Sequence, residues 1–216
     1  MDTLAARQQM VDQQIRTWEV LDPRVLAALA AVPREVFVPA AYRDLAFADA
    51  EIPIGCGQVM LAPNIHGRIL QALCLDTADE ALEVGTGSGY LSAAISLLAG
   101  STRSIDIQAE LTHFAARNLR ALPQARVELE TRDAMSGAPL GEFDAIAVTG
   151  SLPVYDPRFE RCLRVGGRLF AVIGTAPVME AVLIRRVDEN EWLRESLFET
   201  VITPLLNAPP APEFVF

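Results

Sequence analysis

The chain has 216 residues, 51% of them hydrophobic, and 28 acidic against 18 basic side chains give it a net charge of −10. That length suits one α/β domain with a modest extension, and the apolar content lies far from the disordered range. The acidic balance works against general binding to nucleic-acid backbones or anionic membranes, and three scattered cysteines with two histidines supply neither a disulfide framework nor a metal cluster.

The N-terminus, Met1-Asp2-Thr3-Leu4, lacks the basic and then apolar pattern of an export signal. The runs Val25–Val32 and Leu91–Ala99 fall short of the about 20 residues a membrane span needs. The expectation is a cytoplasmic protein, monomeric or weakly dimeric, without nucleic-acid, membrane or metal partners.

A first helix is expected from Leu4 to Trp18, with Leu4, Val11, Ile15 and Trp18 on its inner face. Asp22-Pro23 reads as the capped start of a second helix, which carries Val25, Leu26, Leu29 and Val32 and stops at Pro33. A proline-punctuated connector follows, through Phe37-Val38-Pro39 and Leu45–Asp49. Ile52–Pro63 reads as a loop that turns apolar, and Asn64–Leu75 as a helix with Ile65, Ile69, Leu70 and Leu73 on one side.

The centre of the chain is Leu82-Glu83-Val84-Gly85-Thr86-Gly87-Ser88-Gly89-Tyr90. A short apolar run for a buried strand meets three alternating glycines, and then Tyr90, Leu91, Ala94, Ile95 and Leu98 recur at helical spacing. Strand, tight turn and helix start together expose main-chain N–H groups to a ligand. A dinucleotide site wants its third glycine one position later, which makes a dehydrogenase remote.

A second strand is expected over Arg103–Ile107. Its Asp106 lies 21 residues after Gly85, where nucleotide-binding α/β folds place the acid that accepts from ribose hydroxyls. Glu110–Leu122 reads as a helix, Arg126–Thr131 as a third strand followed by Asp133-Ala134, and Phe143–Gly150 as a fourth, nearly continuous buried strand. A short helix is expected over Pro157–Leu163, with Val165-Gly166-Gly167-Arg168 as its stop and Leu169–Ile173 as a fifth strand. Two more strands are expected, Met179–Val187 and Trp192–Thr203, joined at Asp188-Glu189-Asn190. A proline-rich tail closes the chain, and its aromatics Phe214 and Phe216 are expected to pack on an apolar surface. The alternation gives an α/β class: a Rossmann-like, doubly wound, mainly parallel sheet with an N-terminal helical extension.

The acid-x-G-x-G-x-G form of Glu83–Gly89 resembles motif I of the class I S-adenosylmethionine-dependent methyltransferases. Nearly the whole chain resembles the protein-L-isoaspartate O-methyltransferase family. The residues that carry the likeness run in order: Met10–Ile15, Val32-Pro33-Arg34 with Phe37-Val38-Pro39, Ile54-Gly55-Cys56-Gly57-Gln58 with Pro63, Leu82–Tyr90, Ser104–Ile107, Phe143-Asp144 with Val148-Thr149, Gly166–Leu169 and Thr203-Pro204-Leu205. The resemblance implies three segments in one compact unit. They are an N-terminal helical and acceptor-side part (1–78), a cofactor-binding core (79–206) and a tail (207–216).

It also implies S-adenosylmethionine as cofactor, S-adenosylhomocysteine as product, and methyl transfer to a carboxylate of a peptide or small molecule. The implied cofactor residues are Glu83, Gly85, Thr86, Gly87, Ser88, Gly89, Asp106 and Ile107, with Asp133 and Ala134 near the adenine. The implied acceptor loop is Gln58, Val59, Met60 and Leu61. In that family the acceptor is the free α-carboxylate of an isoaspartyl residue, and the ester then collapses to a succinimide.

The chain departs from the family where Thr-Ile-Ser-Gln-Pro is usual. Val59-Met60-Leu61-Ala62-Pro63 stands there, with Leu61 at the serine position. Arg132 replaces a usual glycine and Val201 a common arginine. A carboxylate acceptor is already ionised, so the missing serine costs orientation rather than a proton acceptor. The expectation is weakened isoaspartyl turnover, with Thr149, Ser151 and His66 as candidate replacement donors. The alternatives are a more apolar small-molecule acceptor, or a catalytically inactive cofactor-binding protein.

Overall fold

The computed structural model describes residues 3–211. The N-terminal layer begins with α1 (Thr3–Met10) and passes without a break into a π turn over Val11–Ile15 and a 3₁₀ turn over Arg16–Trp18. The expected helix is therefore present but changes its winding, with Arg16 N–H bonded to Val11 O. The change of phase buries Met10, Val11 and Ile15 and leaves Leu4 and Trp18, expected inside, exposed. α2 (Pro23–Ala31) starts as its sequence requires, with Asp22 accepting from Arg24 N–H and Pro23 in the first turn.

The stretch expected to be a loop forms a small antiparallel hairpin, β1 (Ile52–Gly55) and β2 (Gln58–Met60). Its turn takes Gly55, Cys56 and Gly57 through positive φ, which is why the stretch lacks a strand signature. α3 (Pro63–Leu73) follows directly.

The core is a seven-stranded sheet. Its strands are β3 (Glu80–Val84), β4 (Ser101–Asp106), β5 (Glu128–Thr131), β6 (Phe143–Val148), β7 (Leu163–Thr175), β8 (Val178–Asp188) and β9 (Glu191–Glu199). They lie in the order β5-β4-β3-β6-β7-β8-β9. The first five in that order are parallel, and β8 and β9 are added as an antiparallel meander. α4 (Tyr90–Ser96) and α5 (Ala109–Leu119) make two of the crossovers.

β6 shows why the sheet is covered on both sides. Ala145 and Ala147 face the layer that holds α3 and α4, whereas Ile146 and Val148 face a second cluster with Phe159 and Leu163. Small residues on one face let helices approach, and branched ones fill the other.

Two expectations fail between β6 and β7. Only Glu160–Cys162 is helical, as a 3₁₀ turn, where a helix over Pro157–Leu163 was expected. Gly166-Gly167 is not a helix stop, because β7 runs through it. A register shift between the Phe143–Leu163 and Ala145–Arg168 pairs absorbs the extra residues as a bulge. Phe214 and Phe216 of the tail lie outside the described residues. Among the described residues, no helix is long and apolar enough to cross a membrane, and no group of His, Cys, Asp and Glu could hold a metal ion.

Candidate functional site

Strand order turns back at β3. β4 and β5 lie to one side of it and β6 to the other, so the loops leaving β3 and β6 diverge and open a cleft at their C-terminal ends. At the floor of the cleft Gly85 N–H donates to Ile105 O (2.8 Å) and Thr149 N–H to Val84 O (3.0 Å). Gly85 has φ +102°, and a Cβ there would run into Thr149 Oγ1. Gly89 has φ +84°, and its Cβ would lie 2.9 Å from that of Ala115 on α5. Both positions require glycine: one for the turn, the other for the close approach of α4 to α5.

The three strand-end acids lie in this one cleft. Glu83 is fully buried, and its Oε2 accepts from Ser92 Oγ and from Ser104 Oγ (2.6 Å). Its Oε1 makes no hydrogen bond among the described residues, and Glu83 lines the cleft. Burial pushes the Glu83 carboxyl up to about 8, against the opposing pull of the two serine hydroxyls. Asp106 braces the glycine turn, with Oδ2 accepting from Gly87 N–H (2.9 Å) and Oδ1 from Gln108 N–H (2.9 Å). Burial raises the Asp106 pKa and these N–H groups lower it, with a net rise. Asp133 accepts from Met135 N–H (2.7 Å) and from Asn207 Nδ2 (2.9 Å).

Thr86, Gly87, Ser88, Ile107 and Ala134 line the cleft as well, and Gly89 lies just behind them at the start of α4. The opposite wall is the β2 hairpin arm and the residues after it: Gln58, Val59, Met60 and Leu61. Of the candidate donors, Thr149 and His66 line the cleft and Ser151 does not. The Thr149 hydroxyl points at two carbonyls, Val84 O (3.0 Å) and Gly85 O (2.9 Å). Ser151 is fully buried and donates to Ile202 O (3.3 Å). Each hydroxyl has a single proton, so neither is free to donate to a ligand.

Two features are absent from the sequence reading. Thr203–Leu206 folds over the cleft as a further wall. Arg34, placed in a connector, is completely buried beneath the acceptor loop. Its guanidinium donates to Ala46 O (2.8 Å) and Leu61 O (2.7 Å), meets His66 Nδ1 (3.1 Å), and lies 4.8 Å from the centre of the Tyr90 ring. The sequence names it only as part of the Val32-Pro33-Arg34 connector that resembles the family, with nothing to mark it as buried.

The family model for protein-L-isoaspartate(D-aspartate) O-methyltransferase matches residues 5–208. The chain belongs to this family. Its members are S-adenosylmethionine-dependent O-methyltransferases, and that is the activity of this chain. A protein-L-isoaspartate O-methyltransferase from Rhodopseudomonas palustris is 38% identical over 201 residues, covering 92% of each chain. One from Koribacter versatilis is 36% identical, covering 93% of this chain and 90% of its own. In fold, the chain is similar to a protein-L-isoaspartate O-methyltransferase from Plasmodium falciparum, solved with S-adenosyl-L-homocysteine. The TM-score is 0.80 at 20% identity, over 92% of this chain and 97% of that one. These matches favour the isoaspartyl reading over a small-molecule methyltransferase or an inactive binding protein.

Proposed function

We propose that this methyltransferase esterifies the free α-carboxylate of an isoaspartyl residue in a peptide or protein. The observation that carries the reading is the shared cleft. The glycine turn and three strand-end acids form one wall, and the Gln58–Leu61 arm forms the other. The residues fit the cofactor. The free Glu83 Oε1 suits an ammonium group, and each Asp106 oxygen keeps a lone pair for a ribose hydroxyl beyond the main-chain N–H it already accepts. Asp133, at the far end of the acid row, would serve the adenine edge, and Ala134 and Ile107 line the same part of the cleft.

When bound, S-adenosylmethionine supplies an electrophilic methyl group on a positively charged sulfur. The chain need not supply a general base, because the acceptor carboxylate is ionised at neutral pH. Its task is to hold the acceptor oxygen in line with the methyl group and to keep water out, and the apolar arm Val59-Met60-Leu61 excludes water. The test is labelled-methyl transfer to an isoaspartyl peptide, with the matching aspartyl peptide as control. Base-labile label in the first alone is the expected result. Equal labelling of both, or of neither, overturns the reading.

A further inference from the structure

A completely buried guanidinium normally answers a carboxylate, and Arg34 answers none. Its partners are two carbonyls, one imidazole nitrogen and the face of Tyr90. An arginine can only donate, so the His66 Nδ1 it meets at 3.1 Å must be bare. The ring proton then sits on Nε2. Among the described residues no side chain bonds Nε2, and the Ala62 carbonyl, one turn back on the chain, is a further acceptor beside the ring. The ring itself is buried, held edge-on to Tyr90 with centroids 5.1 Å apart, and it lines the cleft.

We infer that Arg34 is a positioning residue that locks His66 as the Nε2–H tautomer, so that His66 presents a permanent donor to a carboxylate bound in the cleft. The same guanidinium fixes Leu61 O, and with it the loop that lacks the family's hydroxyls. Burial and then the Arg34 charge hold the His66 pKa well below its ordinary value, so the ring remains a neutral donor across neutral pH. The positive charge behind the ring also favours an anion in front of it.

Two carboxylates reach this cleft, the cofactor's aminoacyl carboxylate and the acceptor's. The acceptor arm of the test rests on the proposed function, and the other arms do not. Nitrogen-15 NMR of the wild-type imidazoles should show His66 protonated on Nε2 and not titrating between pH 6 and 9. A proton on Nδ1, or titration near pH 6.5, overturns the inference without any variant.

His66→Phe keeps a ring against Tyr90 but removes the donor, and His66→Gln restores an N–H near Nε2. If the carboxylate is the cofactor's, His66→Phe weakens S-adenosylhomocysteine binding about tenfold to a hundredfold and leaves 5′-methylthioadenosine, which lacks the carboxylate, unchanged. If it is the acceptor's, S-adenosylhomocysteine is unaffected and the KM for the isoaspartyl peptide rises by a similar factor. In either case His66→Gln should recover part of the loss. Folded His66→Phe protein with both constants unchanged overturns the inference. A wild-type enzyme that ignores isoaspartyl peptides defeats the proposed acceptor, and the tautomer and the S-adenosylhomocysteine arm then decide this inference alone.

Discussion

Asn207 Nδ2 donates to Asp133 Oδ2 over 2.9 Å and ties the segment after the last strand to the far end of the acid row. The tie joins two parts of the cleft lining, because Thr203–Leu206 and Asp133 both line it. Asn207 holds φ at +63°, a conformation asparagine tolerates better than most residues. Removing the amide frees the wall without touching the cofactor's other partners. Asn207→Ala should raise the dissociation rate of S-adenosylhomocysteine about fivefold, as expected for one hydrogen bond of roughly 1 kcal/mol. Asp133→Ala should cost more, about tenfold or above in affinity, because in the proposed function it is also the acceptor for the adenine. Stopped-flow kinetics and calorimetry measure the two, and wild-type constants for Asp133→Ala would take that residue out of the site.

Glu83 sets a proton linkage. Its carboxyl is raised to about 8 in the free protein, against about 4.3 unfolded, so the fold favours the protonated form. Stability contributed by this group is therefore full below about pH 4.3 and falls as pH rises toward about 8. An ammonium placed at Oε1 favours the ionised form instead. Cofactor binding at pH 7 should then release up to one proton, and the binding enthalpy should vary with the ionisation heat of the buffer. Glu83→Gln should abolish that dependence. A buffer-independent enthalpy for the wild type would show that Glu83 does not ionise on binding.

Arg34 also bears on stability. Arg34→Met leaves Ala46 O, Leu61 O and His66 Nδ1 without the donor that they share. Relief of a buried charge offsets part of that loss, so the net cost is about 2–4 kcal/mol. For a chain of this length that lowers Tm by roughly 5–15 °C. The exposed Arg43→Met is the control and should change stability by less than about 0.5 kcal/mol. Similar melting curves for the two variants would mean that the three acceptors find other partners.

What was legible in the sequence was local. β6 is readable because five of its six residues are apolar and buried, and α2 because Asp22 and Pro23 are a cap and a first turn whatever surrounds them. The glycine turn and Asp106 are readable because spacing along the chain fixes their place at strand ends. What escaped depends on partners distant in sequence. Pro53 and three turn residues with positive φ hide the β1–β2 hairpin, whose Ile52, Ile54 and Met60 are buried in the core. Gly166-Gly167 imitates a helix stop, and only the pairing of β7 with β6 and β8 makes it a strand. Arg34 reads only as part of a connector, and its burial depends on Ala46, Leu61 and His66 closing around it.

The acceptor wall gives the last prediction. Leu61 is buried at 7% exposure, lines the cleft, and has its carbonyl pinned by Arg34 at 2.7 Å. That pin holds the backbone at the family's serine position independently of the side chain. Leu61→Ser should therefore place a hydroxyl in the cleft without moving the loop. A hydroxyl donor to the acceptor carboxylate strengthens binding in the transition state as well as in the ground state, by about tenfold in kcat/KM for the isoaspartyl peptide. Affinity for S-adenosylhomocysteine should stay within about twofold, and Tm should fall because a buried isobutyl group worth about 1.5–3 kcal/mol is lost. Adding Val59→Thr and Ala62→Gln completes the family's polar set and should add less than the serine does. If Leu61→Ser leaves kcat/KM at or below the wild-type value while cofactor affinity and fold hold, the hydroxyl does not reach the acceptor, and orientation on this wall comes from other groups.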